Sequence, residues 1–216
     1  MPESLKLELV TPPAQLPVSL NEAKKQLELG DDDTTHDAFL AGLLDAATEE
    51  FERYTGRAGI TRTYRLFLDR WPSDSRAEPW WEGVREGPIS MLNTAARDVE
   101  IPRPPLLSVA HMKAYDDDDN ATTFAASNYF VDTASQPGRI ALRTGAVAPV
   151  IERVANGLEV QFAAGYGANP GDVPEPLRQG ILMTVAWMFT NRGDCEDAAK
   201  NSGAHAVWRK YRVLRL

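Results

Sequence analysis

The sequence predicts an α+β protein: a helical core, in which N-terminal helices pack with a long C-terminal helix, carries an all-β insertion and ends in an extended C-terminal tail. Three observations point there. Apolar residues recur at three- and four-residue spacing from Phe39 to Phe51 and again from Leu177 to Phe189. Between those stretches lie short β-rich runs separated by Pro, Gly, Asn and Asp turn signals. The charge is also segregated: Glu28 to Glu52 holds nine acidic residues and no Lys or Arg, whereas Arg209 to Leu216 holds four basic residues and no acid.

Taken in order, Leu5–Val10 alternates and is stopped by Thr11-Pro12-Pro13, a short extended arm. Ser19 with Glu22 three residues on forms a capping box, so a helix starts there and runs to about Leu29, with Gly30 ending it. Asp31, Asp32, Asp33 and Thr34 open a second helix, where early carboxylates suit the positive end of the helix dipole. Phe39, Leu40, Leu43, Leu44, Ala47 and Phe51 form its apolar stripe, and Gly56 is the residue after its end. From Ile60 to Arg70 the period changes to that of a strand, followed by the Trp- and Pro-punctuated Trp71–Ala96 stretch, read as loop. Strands are expected at Val99–Ile101, Val109–Tyr115, Tyr129–Asp132, Arg139–Leu142 and Leu158–Ala163. Leu177, Ile181, Leu182, Val185, Met188 and Phe189 then place a helix over about Pro176–Asn191. Residues 194–204 read as loose and polar. The expected blocks are residues 1–57 (arm and helices), 58–168 (β-rich), 169–204 (helix completing the core) and 205–216 (tail).

Composition narrows the function. The chain has 216 residues, 43% hydrophobic and 25% charged, enough for an ordinary globular core. No apolar run approaches the roughly 18–20 residues of a membrane span, and MPESLKLELV lacks the pattern of a secretory signal. A single cysteine, Cys195, excludes an intrachain disulfide framework and suits a reducing compartment. The net charge of -8 argues against gripping nucleic acid by neutralising its phosphates.

No catalytic pattern emerges, and the sequence implies neither an enzyme nor a cofactor. His36, His111 and His205 stand isolated, without a second His or Cys at helical spacing, so no metal ligands are expected. Asp116–Asn120 fails as a calcium loop because Ala121 and Ser127 stand where Gly and Glu are needed, leaving a solvated hairpin turn. Gly165-Tyr166-Gly167 lacks the residues of either phosphate-binding glycine fingerprint and reads as a turn leaving a strand. Trp71, Trp80 and Trp81 fit an aromatic cover on the β region or a carbohydrate-binding face, and Trp187 reads as core.

The C-terminus combines bulk and charge: Val207, Trp208, Arg209, Lys210, Tyr211, Arg212, Val213, Leu214, Arg215 and Leu216. Two readings stay open. One is a plug for a partner's groove, with Arg forming directional bonds to carboxylates; the other is a helix folded onto its own domain.

Four stretches, in this order, resemble head–tail connector (adaptor) proteins of long-tailed phages and gene transfer agents: Leu9–Pro13 leading into Val18–Lys24; Ala46–Arg57 running into Ile60-Thr61; Phe162–Gly167 followed by Val173–Ile181; and Tyr211–Val213. The resemblance covers the chain from about residue 7 to its end and departs from the family pattern at Trp71–Ala96. It implies a ring of twelve copies in the virion neck, assembled in the host cytoplasm. Residues 207–216 would dock on the portal protein, a further neck or stopper protein would bind opposite, and double-stranded DNA would pass through without specific binding. Asp31, Asp32, Asp33, Asp37, Asp45, Glu49 and Glu52 are expected to face the channel or a neighbouring subunit, where like charge keeps DNA from sticking. A stopper, a tail terminator and a carbohydrate-binding β module are the alternatives.

Overall fold

A computed structural model describes residues 6–72, 98–193 and 197–213. The chain forms two compact units: a helical one (Thr11–Arg62, Pro102–Pro105, Ala164–Leu216) and a β one (Met1–Val10, Thr63–Ile101, Leu106–Ala163).

In the helical unit, α1 (Leu20–Gln26) starts at the capping box seen in the sequence. The Glu22 N–H donates to Ser19 Oγ at 3.3 Å, and the Ser19 N–H donates to the Glu22 carboxylate at 2.8 Å. Helix α2 (Asp37–Thr55) begins a turn later than the acidic run suggested. Gly56 ends it in the left-handed conformation at φ 73, where a residue without Cβ is favoured. Helix α3 (Glu175–Thr190) follows a strand exit at Gly165, which needs glycine: a Cβ there would lie 2.6 Å from the Thr61 backbone. Two short helices, α4 (Ala198–Asn201) and α5 (Ala204–Trp208), and a 3-10 turn at Arg209–Tyr211 complete the unit. Leu40, Leu44, Ala47 and Phe51 of α2 pack with Leu177, Ile181 and Val185 of α3, and with Ala199, Ala204 and Trp208. This is the shared core that the two sequence stripes anticipated. Trp187, expected in that core, is only half-buried.

Among the described residues the β unit has two sheets. One runs β1-β2-β8-β4-β5 and the other β3-β7-β6, from β1 (Lys6–Thr11), β2 (Arg62–Leu68), β3 (Asp98–Ile101), β4 (Leu106–Tyr115), β5 (Ala121–Thr123), β6 (Tyr129–Asp132), β7 (Gly138–Leu142) and β8 (Leu158–Ala164). Strand alternation makes one face apolar: Tyr64 and Leu66 of β2, Met112 and Ala114 of β4, and Leu158, Val160 and Phe162 of β8 are all buried. The expected N-terminal arm is β1, an edge strand of this unit. Asp116–Asn120 is the expected turn, and it joins β4 to β5 as an antiparallel hairpin. Trp71 is buried; the rest of the Trp71–Ala96 loop, with Trp80 and Trp81, lies outside the described residues.

Candidate assembly surfaces

The sequence placed its docking residues at the C-terminus, and the structure divides them. Trp208 is fully buried. Its indole Nε1 donates to the Leu177 carbonyl at 3.1 Å, and its ring lies 5.7 Å from that of Phe51. Gly180 permits this approach, since a Cβ there would sit 2.2 Å from Nε1. The segment stays folded beyond Trp208. Arg57 donates to the Tyr211 carbonyl, and the Val213 N–H donates to the Thr55 carbonyl at 2.8 Å.

An extended tail is therefore not what residues 205–213 form. An aromatic side chain of this size removes about 150–250 Å² from water on burial, which at about 25 cal/mol per Å² is about 4–6 kcal/mol, enough to offset much of the cost of ordering one short turn. Val207, Tyr211 and Val213 are half-buried, while Arg209, Lys210 and Arg212 are exposed. Leu214, Arg215 and Leu216 lie outside the described residues. The described segment forms a basic corner on the surface, with the Arg212 guanidinium 5.6 Å from the ring centre of Tyr54.

The acidic run also divides. Asp31, Asp32, Asp33, Asp45 and Glu49 are exposed. Hydrogen bonds from Thr35 hold the Asp33 carboxyl below its ordinary range. Asp37 instead turns to the buried Lys24, in an ion pair of 2.6 Å.

Glu52 turns inward, its carboxylate taken up within the unit. It accepts from the Gly59 N–H at 3.1 Å and from Arg62 Nη2 at 2.6 Å, while Arg103 donates to its backbone carbonyl at 2.9 Å. Burial pushes the Glu52 carboxyl up, against the pull of the Arg62 charge. Within one continuous acidic run, sequence gives no cue to which carboxylate has an internal partner.

The exposed Asp31–Asp33 cluster and the exposed basic residues sit at different ends of α2. The Asp31–Asp33 cluster precedes its first turn, whereas Arg209, Lys210 and Arg212 flank its last turn through the Thr55 and Arg57 contacts. At 1.5 Å per residue a 19-residue helix spans about 28 Å. The helical unit therefore has an acidic end and a basic end.

His205, isolated in sequence, is not isolated in space. Its ring stacks on Tyr54 at 3.9 Å and lies beside Glu50, 155 residues away. No helix among the described residues is long and apolar enough to cross a membrane.

Residues 17–78, spanning α1, α2 and β2, match the family model described as phage gp6-like head-tail connector protein. The chain is also similar to chains of solved particles. One is from the virion of a native gene transfer agent (GTA) particle: 24% identity, TM-score 0.74, covering 98% of this chain and 97% of that one. A second is from the neck of an empty GTA particle computed with C6 symmetry: 26% identity, TM-score 0.74, 97% and 96% covered. A third is from the neck of a native GTA particle computed with C12 symmetry: 26% identity, TM-score 0.69, 99% and 97% covered. No curated protein sequence matches the chain. The resemblance to head–tail connector proteins read from the four sequence stretches is the one these matches return.

Proposed function

We propose that this protein is a non-enzymatic subunit of a head–tail connector ring in the neck of a phage-like particle, assembled in the host cytoplasm and sitting between the portal and the next neck protein. The observation that carries the reading is the near full-length likeness to neck chains at 26% identity, joined to the connector-family match over residues 17–78. The C12 symmetry of one such neck supports twelve copies.

The surface chemistry fits a closed ring. A head-to-tail contact pairs two different surface patches, and it closes into a ring when the repeated rotation returns to its start without a rise along the axis. The acidic and basic ends of the helical unit are two such patches. Exposed Asp45 and Glu49 then face either the neighbour or the channel, where a negative wall repels double-stranded DNA and lets it pass.

The portal contact falls to Arg209, Lys210 and Arg212 with the following Leu214, Arg215 and Leu216. Trp208 serves this contact indirectly, by fixing the turn that presents the basic side chains. Val207, Tyr211 and Val213 line the base of the same corner.

The test is co-sedimentation with assembled portal. Exchanging the exposed Arg209, Lys210 and Arg212 together for Glu should leave the fold intact and remove co-sedimentation. Binding unchanged by that triple exchange would overturn the docking role, and capture by a tail-tube protein in place of the portal would favour a stopper or terminator.

A further inference from the structure

The helical unit gathers three side chains that the sequence separates widely: Glu50 on α2, Asp197 capping α4, and His205 in α5. One donor atom from each lies within 4.8 Å of the other two. His205 Nε2 is 3.4 Å from Glu50 Oε1, and Nδ1 is 4.0 Å from Asp197 Oδ2. Both separations exceed the roughly 2.7–2.9 Å of a charge-assisted hydrogen bond, so neither carboxylate closes fully on the ring.

Each of the three groups is nevertheless held from behind. Arg53 Nη2 donates to the other Glu50 oxygen, Oε2, at 2.6 Å. The Lys200 N–H donates to the other Asp197 oxygen, Oδ1, at 3.1 Å. The His205 ring lies flat on Tyr54, with 11° between the planes. One donor atom of each residue thus lies within 4.8 Å of the other two, while the second oxygen of each carboxylate is fixed by an outer partner. Metal ligands are oriented in this way.

The geometry points to a divalent transition-metal site, with Glu50 Oε1, Asp197 Oδ2 and one imidazole nitrogen of His205 as ligands of a single ion of the zinc class. Nitrogen and carboxylate ligands lie about 2.0–2.2 Å from zinc, which sets neighbouring ligand atoms roughly 3.4 Å apart in a tetrahedron. The His205–Glu50 pair already has that spacing. Asp197 alone must close in, and its side chain is 46% exposed and has room to turn.

Two carboxylates and a neutral imidazole balance the charge of the ion. The imidazole selects against calcium and magnesium, which take all-oxygen shells. A fourth position stays open to water. The Arg53 guanidinium nearby opposes the ion, so affinity falls below that of a closed four-ligand structural site. An ion bound here ties α4 and α5 to α2 and so braces the basic corner at Arg209–Arg212. The site itself stands independently of the neck assignment.

The experiment is titration of the full chain with Zn²⁺ by calorimetry, and with Co²⁺ by visible absorption. One equivalent of each ion is expected to bind, with a four- or five-coordinate cobalt spectrum and a higher thermal midpoint in zinc. His205→Gln and Glu50→Gln should each weaken binding by more than about a hundredfold, exceeding the 10–100-fold cost of losing an outer-shell partner. Cys195→Ser should bind as the wild type does. Circular dichroism without metal checks that the variants are folded. The proposal is overturned if wild-type protein binds neither ion, if both Gln variants bind undiminished, or if Cys195→Ser removes binding.

Discussion

Replacing Trp208 by Ala separates a side chain that holds the helical unit together from one that merely waits for a partner. Trp208 is fully buried, packs against Phe51 and closes over Gly180. Truncating a buried Trp to Ala costs about 3–5 kcal/mol in transfer and cavity energy. Losing the indole hydrogen bond to the Leu177 carbonyl adds about 1 kcal/mol. A total of about 4–6 kcal/mol is a large share of the roughly 5–15 kcal/mol that holds a domain folded. For a chain of this length each kcal/mol moves the thermal midpoint by about 2–4 °C, so the transition of the helical unit should fall by about 10 °C or more. Scanning calorimetry of the isolated protein measures this without any partner present. A midpoint lowered by less than about 2 °C would refute the packing argument and return Trp208 to the docking surface. The Glu triple exchange at Arg209, Lys210 and Arg212 gives the opposite pattern, an unchanged midpoint with lost portal binding.

Arg62→Met should destabilise the helical unit by about 3 kcal/mol, because it strips the counter-ion from the buried Glu52 carboxylate. Denaturant unfolding reads this directly, and a loss below about 1 kcal/mol would show the pair to be expendable. In the β unit, burial pushes the Glu159 carboxyl up, but hydrogen bonds from His111 and Tyr115 and the charge of Arg65 outweigh it and hold the group below its ordinary value of 4.5. A lowered carboxyl stabilises the fold above its unfolded pKa and loses that contribution as pH falls through the folded value. Glu159→Gln should thus flatten the acid limb of stability against pH, and an unaltered acid limb would count against the network.

Local chemistry made most elements legible. The Ser19–Glu22 capping box, Gly56 and the two apolar stripes set α1, α2 and α3 without reference to the rest of the chain. Alternation found β2, β6, β7 and β8 to within two residues at each end. It missed β5, because Ala121–Thr123 is exposed at all three positions and so carries no two-residue pattern. The C-terminal corner was half legible. Arg209, Lys210 and Arg212 do face outward, but the inward turn of Trp208 depends on the space left by Gly180, which no local pattern in the sequence ties to the C-terminus. The Glu50, Asp197 and His205 cluster was invisible for the same reason: its members meet only through packing of α5 against α2.

The bipolar charge of the helical unit has an internal explanation that must be subtracted before any of it is assigned to assembly. Carboxylates ahead of a helix and cations behind it each relieve the macrodipole, within the first and last turn, by about 0.3–1 kcal/mol. Arg209–Arg212 beside the end of α2 satisfy that condition, and Asp31–Asp33, a turn ahead of its start, do so only weakly. Asp45 and Glu49 do not: both lie in the interior of α2 (Asp37–Thr55), one turn apart on an exposed face, beyond the reach of the dipole at its start. Neither has an ion pair among the described residues, whereas Glu50 and Glu52 do. Like charges four residues apart cost a helix a few tenths of a kcal/mol, so folding alone gives no reason for both. In the proposed ring, these two carboxylates are the part of the acidic surface that would meet a neighbouring copy or a passing polyanion. If they face the neighbour, Asp45→Asn with Glu49→Gln lowers ring stability and its salt sensitivity together; if they face the channel, the ring is unaffected and retention of DNA rises.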